Sequence, residues 1–527
     1  MWAAGVVAAG LCFAAVPQAA MAVGPTEVQP GKMARVGTVD ERFQSYNIEM
    51  LEVTGGRFWA PYKSKAQPGV AAVEAGKESV PTGMDPSLYR YRAPIDLTNP
   101  RLRRLAAALG PAYVRVSGTW ANSTYFQDAD GPAMKTPPEG FGGVLTKPEW
   151  KGVIDFARAV DAEIVTSFAI SGGVRGADGV WTPVEANKFL AYTKQAGGRI
   201  AAAEMFNEPT FAVLGGAPKT YDGAAYGKDF KVFRAYMKEA APGTLILGPG
   251  AVGEGGSLDM ADSPIKMTRS EDMLAASGPG VDGFSYHFYG GVSKRCKGQS
   301  TAETALSDEW LGRTEREEKF YAGLRDKFEP GKPLWLTETG EAACGGDPWA
   351  STFVDSFRYL NQLGTLARSG VQAVMHNTLA ASDYALIDEA TLDPRPNYWA
   401  ALLWRKFMGT TVLNAGVSEA GPAPNANLHV YAHCLRGVPG GVAMLVINAD
   451  KGQVRALEVP VKSERYTLSA DELMGSRVDL NGKELLMGVG DALPKIEGKS
   501  TRSGEMKFAP ETITFLAISG ARNEACK

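Results

Sequence analysis

From about residue 43 to residue 408 the chain alternates short runs rich in β-branched and aromatic residues with longer amphipathic stretches. The strand-like runs are residues 43–49, 113–118, 163–170, 199–208, 245–251, 283–289, 333–340 and 373–379. Between them lie helix-like segments at 100–109, 148–160, 183–196, 228–240, 313–328 and 349–369. Several open with Pro near the helix start, where its missing N–H costs nothing. Eight strands, most followed by a helix, predict an α/β fold of the (β/α)8 TIM-barrel type. After Gly409 the pattern changes. Short runs at 428–435, 441–449, 465–469 and 511–518 are separated by turn clusters such as Pro439-Gly440-Gly441 and Asn481-Gly482, with no comparable helical stretch between them. This predicts a C-terminal all-β sandwich packed directly on the barrel. The expected division is 1–22 as an atypical signal peptide, 23–409 as the barrel with its first stretch packing on the β-module, and 410–527 as the sandwich.

Composition narrows the function. With 55 Lys+Arg against 58 Asp+Glu the net charge is -3, too near neutral for the basic field that bulk nucleic-acid binding needs. The 45% apolar and 21% charged fractions are those of a globular protein, which excludes disorder, collagen-like repeats and a polytopic membrane protein. Residues 1–22 are uncharged and end in Ala20-Met21-Ala22, an A-x-A-like cleavage signal without the usual basic start. Pro17 and Gln18 interrupt this run before the roughly 20 apolar residues a membrane span requires. The expectation is export, to a secreted or periplasmic location, with no membrane attachment after processing.

Cleavage there would remove Cys12 and leave Cys296, Cys344, Cys434 and Cys526, an even number consistent with two disulfides, for which three pairings exist. There is no CxxC or HExxH, and the four histidines (His287, His376, His429, His433) are scattered. No metal site and no cofactor are expected.

Barrel enzymes carry their reactive groups at the C-terminal ends of strands. Two carboxylates stand there. Glu208 closes the fourth strand in Ala203-Glu204-Met205-Phe206-Asn207-Glu208-Pro209, and Glu338 closes the seventh in Leu334-Trp335-Leu336-Thr337-Glu338-Thr339-Gly340. Glycoside hydrolysis needs such a pair, one carboxyl to protonate the leaving oxygen and the other to attack, or support attack on, an oxocarbenium-like carbon. The structural alternative for any single Glu is a cap or a surface ion pair. Two of them at facing strand ends, one within Asn-Glu-Pro, favour catalysis.

The chain resembles a glycoside hydrolase of the large retaining barrel clan, and specifically family 79, which contains heparanase and β-glucuronidases. The segments that carry this are residues 99–119, Asp383-Tyr384-Ala385-Leu386-Ile387-Asp388, and residues 393–403 beginning Asp393-Pro394-Arg395-Pro396. The resemblance implies a retaining enzyme that cleaves β-glucuronidic linkages in heparan sulfate or related glycans. Glu208 falls on the family's acid/base, Glu338 on its nucleophile and Asn207 on the asparagine that bonds the sugar 2-hydroxyl. His287 and Tyr289 match the group around the nucleophile, and a phenol there would keep Glu338 ionised. Glu49 falls on a family Asp that touches sugar hydroxyls, and Tyr384 on the tyrosine that binds the uronate carboxylate beside backbone amides, with Ala380-Ala381-Ser382 in place of a glycine-rich stretch. Thr119 and Asn122, after the second strand, are candidates for hydroxyl contacts. Lys294 and Arg295, with Lys297, Arg90 and Arg92, are candidates for sulfate or carboxylate contacts. Cys434 and Cys526 resemble the disulfide that ties the family's tail to its β-domain. Cys296 and Cys344 follow strands six and seven on the active face and are candidates for pairing there, with free buried thiols the alternative for either pair. The expected partner is a glucuronic-acid-containing oligo- or polysaccharide, and the enzyme is expected to act as a monomer. Rival functions are an exo-acting β-glucuronidase on small glucuronides, another glycosidase of the clan such as a xylosidase or arabinofuranosidase, and a non-catalytic glycan-binding protein.

Overall fold

The computed structural model describes Met1 and residues 26–62, 80–81, 83–256, 258, 267–417 and 427–527. Apart from Met1, the expected signal segment and Cys12 lie outside the described residues.

Eight parallel strands close a barrel: β1 (Gln44–Glu49), β2 (Ala112–Ser117), β3 (Ala162–Ser167), β4 (Ile200–Glu204), β5 (Leu245–Ala251), β6 (Gly283–Val292), β7 (Leu334–Ala343) and β8 (Ala373–His376), with β8 pairing back to β1. The helices around it are α1 (Pro100–Ala108), α2 (Lys147–Ala159), α3 (Val184–Gln195), α4 (Gly223–Ala240), α5 (Ser270–Ser277), α6 (Asp308–Phe328), α7 (Phe353–Arg368) and α8 (Pro396–Phe407). Local chemistry starts several of them. Asn99 accepts hydrogen bonds from the amides of Arg101 and Leu102 ahead of Pro100 in α1, and Thr146 and Glu149 form a reciprocal capping box on α2.

The strands are buried on both faces, one against the helices and one inside the barrel. Inside, the lower layer is an apolar plug that includes Tyr113, Val165, Leu247, Trp335 and Met375. Two residues on, along the same inward face, Tyr113 gives way to Arg115 and Trp335 to Thr337. The barrel floor is therefore apolar and its upper interior polar.

Beyond α8 the chain passes directly into β9 (Met408–Leu413), followed by β10 (Leu428–Leu435), β11 (Val442–Asn448), β12 (Arg455–Val459), β13 (Ser463–Ser469), β14 (Gly504–Phe508) and β15 (Thr512–Ile518). A nine-stranded sheet runs Arg35–Thr38, β9, β10, β11, β15, β13 and onward, while Thr26–Glu27, β12 and β14 form a second sheet of three. Between the sheets lies a core that includes Val430, Met444, Val446, Leu457, Phe508 and Leu516. The outer face of the large sheet, through Tyr431, Leu445, Ile447 and Phe515, merges with the core beneath the barrel helices. The two strands before β1 thus belong to the β-module, although they precede the barrel in sequence.

Candidate active site

Three corrections to local structure place the reactive groups. β4 ends at Glu204, not at Glu208; the chain then turns, and Glu208 adopts a left-handed backbone (φ 48°) just before the short helix Pro209–Gly215. β7 continues five residues beyond Glu338 to Ala343. Register shifts fall between Tyr286 and His287 on β6 and between Leu336 and Thr339 on β7. Such bulges re-aim side chains, and here they set His287 opposite Glu338 at the mouth.

Glu338 has a donor on each oxygen. Tyr289 donates its hydroxyl hydrogen to Oε1 at 2.7 Å, and Arg115 Nη1 donates to Oε2 at 2.8 Å. Arg115 is buried and spans the site. Its Nε and Nη2 donate to Glu204 Oε2 at 3.0 and 2.8 Å, and Nη2 also lies 2.8 Å from Asn207 Oδ1. Burial would raise the Glu204 carboxyl, but the Arg115 guanidinium and the Thr337 hydroxyl hold it below its usual value. Glu204 therefore remains charged and anchors the arginine.

Glu208 has different surroundings. Burial, with the Glu204 charge nearby, raises its pKa to about 7 despite the opposing influence of Arg115. His287 Nδ1 lies 3.1 Å from Glu208 Oε1 and 3.7 Å from Glu338 Oε2. Burial lowers the His287 pKa to about 4, so the ring is neutral at working pH. Arg115 Nη2 approaches its Nε2 at 3.2 Å. An arginine only donates, so Nε2 holds the lone pair and Nδ1 carries the proton toward Glu208.

One ligand atom each from Glu208, His287 and Glu338 lies within 4.8 Å of the others, a spacing that a divalent cation uses. The donor chemistry opposes it. A metal on Nδ1 would move the imidazole proton to Nε2, against the N–H of Arg115.

A third group of residues surrounds the nucleophile. Asn377 Nδ2 lies 3.1 Å from Glu49 Oε1, 3.0 Å from the Tyr289 hydroxyl and 3.2 Å from that of Tyr384. Burial, and the Glu338 carboxylate beside it, push Glu49 well above the carboxylate range. The close approach needs Gly118 (φ 94°), because a Cβ there would fall 1.5 Å from Glu49 Oε2.

Residues 93–364, just over half of the chain, match the family model described as glycosyl hydrolase family 79, N-terminal domain. The chain belongs to glycosyl hydrolase family 79. It is a glycoside hydrolase. Heparanase-like protein 1 of Arabidopsis thaliana is 28% identical over 372 residues, a match that covers 67% of this chain and 65% of that protein. Heparanase of Mus musculus is 28% identical over 490 residues, covering 82% and 88%. Hyaluronoglucuronidase of Hirudo nipponia is 26% identical, covering 82% and 92%. The fold is shared more widely. A 4-O-α-L-rhamnosyl-β-D-glucuronidase structure from Fusarium oxysporum superposes with TM-score 0.59 at 12% identity, covering 93% of this chain and 99% of that one, and an arabinofuranosidase structure gives 0.61 at 16%, with the same shares.

The structure brings Asn207, Glu208, His287, Tyr289, Glu338, Glu49 and Tyr384 into one network through Arg115 and Asn377. Thr119 lies half-buried on the loop after β2 and Lys294 is exposed after β6. Asn122 does other work than that expected of it. Its Oδ1 accepts from the Asn207 amide and its Nδ2 donates to the Asn207 carbonyl, both at 2.8 Å, so it is spent on holding the turn that presents Asn207 and Glu208. Arg295 is likewise engaged. It is buried against Asp383 at 2.9 Å and stacked on Tyr62 with 4.1 Å to the ring centre, so its charge is matched within the protein. Arg90 pairs with Glu389, and Arg92 with Glu52 and Glu389. Both cysteine pairs are bonded, Cys296 with Cys344 and Cys434 with Cys526.

Sequence reasoning missed Arg115, Glu204 and Asn377. The first two carried a signal, since each is a lone charge inside an apolar strand run, and such a charge must find a partner. Asn377 carried none.

Proposed function

We propose that this family 79 enzyme is a retaining β-glucuronidase acting on glucuronic-acid-containing glycans, with Glu208 as acid/base and Glu338 as nucleophile. The observation that carries it is the contrast between two carboxyls whose ligand oxygens lie within 4.8 Å. Retaining enzymes hold their carboxyls about 5–5.5 Å apart, whereas inverting ones leave roughly 6.5–9.5 Å for a water. Glu338, with a phenol and a guanidinium on its oxygens, is suited to attack as an anion. Glu208, raised to about 7, holds a proton for the leaving group.

In the first step Glu208 protonates the glycosidic oxygen as Glu338 bonds to the anomeric carbon. In the second, Glu208 removes a proton from water, which displaces the ester and returns the β-anomer. Asn207 faces the sugar 2-hydroxyl, and the Tyr384 hydroxyl is free to donate to the uronate carboxylate. The names of the relatives support the substrate class: heparanases, a hyaluronoglucuronidase, and the baicalin-β-D-glucuronidase of Scutellaria baicalensis, 30% identical over 236 residues. Export fits the two disulfides and the uncharged first 22 residues. No helix among the described residues is long and apolar enough to cross a membrane.

The test is hydrolysis of an aryl β-glucuronide against an aryl β-xyloside, together with labelling by an activated 2-fluoroglucuronide. Glucuronide preference and a label on Glu338 are expected. Xyloside preference would sink the substrate class, and a label on any other residue the nucleophile.

A further inference from the structure

The loops on the β6, β7, β8 and β1 side of the mouth are fastened to one another. Cys296–Cys344 joins the loop after β6 to that after β7, and Lys294 donates its amide to Asp347 at 2.8 Å. Asp383 and Ser382, after β8, donate to the Gly345 carbonyl at 3.2 and 2.9 Å. A hairpin from the loop after β1 (Gly56–Trp59 paired with Tyr89–Arg92) lies across all three. Tyr62 donates its amide to Asp383 at 3.2 Å and accepts at its hydroxyl from the Arg295 amide at 3.1 Å. Trp59 stacks on Tyr89 at 4.5 Å and covers Gly345 (φ 81°), where a Cβ would come within 2.6 Å of Trp59 Cβ.

Exposure within the site follows this wall. The Glu338 side chain is 6% exposed, Tyr289 5%, Glu49 5% and Tyr384 2%, whereas the Glu208 side chain, in the turn beyond β4, is 18% exposed. The leaving group must lie over Glu208, because Glu208 protonates it. The far end of the sugar, with its 4-hydroxyl, then points toward Tyr384, Glu49 and the braced loops. An endo-acting enzyme has to pass a chain through that end.

We propose that the pocket is blind on the β1/β8 side, sealed by the Trp59–Tyr62 hairpin braced on Asp383 and Gly345, so that the enzyme removes single glucuronic acid residues from the non-reducing terminus. This rests on the glucuronidase assignment above and adds the mode of attack. An exo enzyme needs one sugar enclosed and the rest of the chain leaving past the acid, and of Glu49, Glu208, Tyr289, Glu338 and Tyr384 it is Glu208 that is the most exposed.

The experiment uses the full-length enzyme and three substrates: an aryl β-glucuronide, a reducing-end-labelled oligosaccharide that ends in glucuronic acid, and the same oligosaccharide with its terminal 4-hydroxyl methylated. Expected results are cleavage of the aryl glucuronide, shortening of the labelled chain by one sugar, and resistance of the capped chain. Internal fragments, or cleavage of the capped chain, overturn the blind pocket while leaving the glucuronidase assignment intact. Failure on the aryl glucuronide by folded enzyme overturns that assignment and the proposal with it. In Trp59→Ala/Tyr62→Ala, internal cleavage should rise about tenfold or more against terminal cleavage, with kcat/KM on the aryl glucuronide held within about threefold. A folded double variant that stays strictly exo would mean that this hairpin is not the seal.

Discussion

Arg115 ties both halves of the site together, because one guanidinium faces Glu338, Glu204, Asn207 and His287. Replacing it with Met leaves two buried carboxylates without their partner. The expected cost is about 3–5 kcal/mol in urea unfolding, with near-complete loss of kcat. Arg115→Lys keeps the charge but cannot fork between Glu338 and Glu204, so it should recover stability better than activity. Glu208 makes a pH-dependent prediction. As the proposed acid it has to be protonated in the free enzyme, so kcat/KM for an aryl glucuronide should fall as pH rises through about 7. The same shift is a stability term. Folded Glu208 binds its proton more tightly than the unfolded chain does, so its contribution is fully present below about 4.5 and is lost as pH rises through about 7. Glu208→Gln removes this loss, and thermal scans at pH 5 and pH 8 should show the variant gaining on wild type at the higher value. An equal difference at both pH values would contradict the raised carboxyl.

At the scale of elements, the two disulfides have separate work. Cys434–Cys526 joins β10 to the last turn across 92 residues of sequence and sits at the sandwich core, far from the carboxyls in the fold. Cys434→Ser/Cys526→Ser should cost about 2–4 kcal/mol with little change in the specific activity of folded enzyme. Cys296–Cys344 spans 48 residues and joins two active-face loops. Cys296→Ser/Cys344→Ser should therefore change kcat/KM more than it changes stability, which paired unfolding and kinetic measurements can check. The elements differed in how far the sequence exposed them. All eight barrel strands appear where apolar runs predicted them, although β4 stops at Glu204 and β8 at His376, short of the predicted ends, and β7 runs on to Ala343. The short helix α5 did not stand out, since Ser270-Glu271-Asp272-Met273-Leu274-Ala275-Ala276-Ser277 holds too few apolar residues for a helical stripe.

For the whole molecule, α7 decides whether the barrel can stand alone. From Phe353 to Ala367 every residue is buried, which a helix on the outside of a free barrel does not allow. Its far side is covered by the large sheet. The Tyr431 hydroxyl donates to Asn361 Oδ1 at 2.7 Å and accepts from the Thr365 hydroxyl at 2.9 Å, with its ring against Gly364. A chain ending at residue 409 would expose that face and also orphan Arg35–Thr38, which pairs with β9 on one edge of the sheet. It should fail to unfold cooperatively, and a sharp calorimetric transition from residues 26–409 would refute this.

The sequence alone determined the barrel and the β-module and pointed to Glu208 and Glu338 as candidates, because hydrophobic periodicity and placement near strand ends are local properties of a chain. It placed the first stretch against the β-module but did not show that residues 26–27 and 35–38 supply a strand to each of its sheets, since strands of two to four residues carry no period and their partners lie more than 370 positions away. Nor could it assign Asn122 and Arg295 to holding loops in place, because a polar side chain looks the same whether its partner is substrate or backbone. Tertiary structure alone decided the surroundings of each carboxyl: a phenol and a guanidinium on the oxygens of Glu338, and at Glu208 an imidazole and the burial that raises its pKa to about 7, because these neighbours come from strands far apart in the chain.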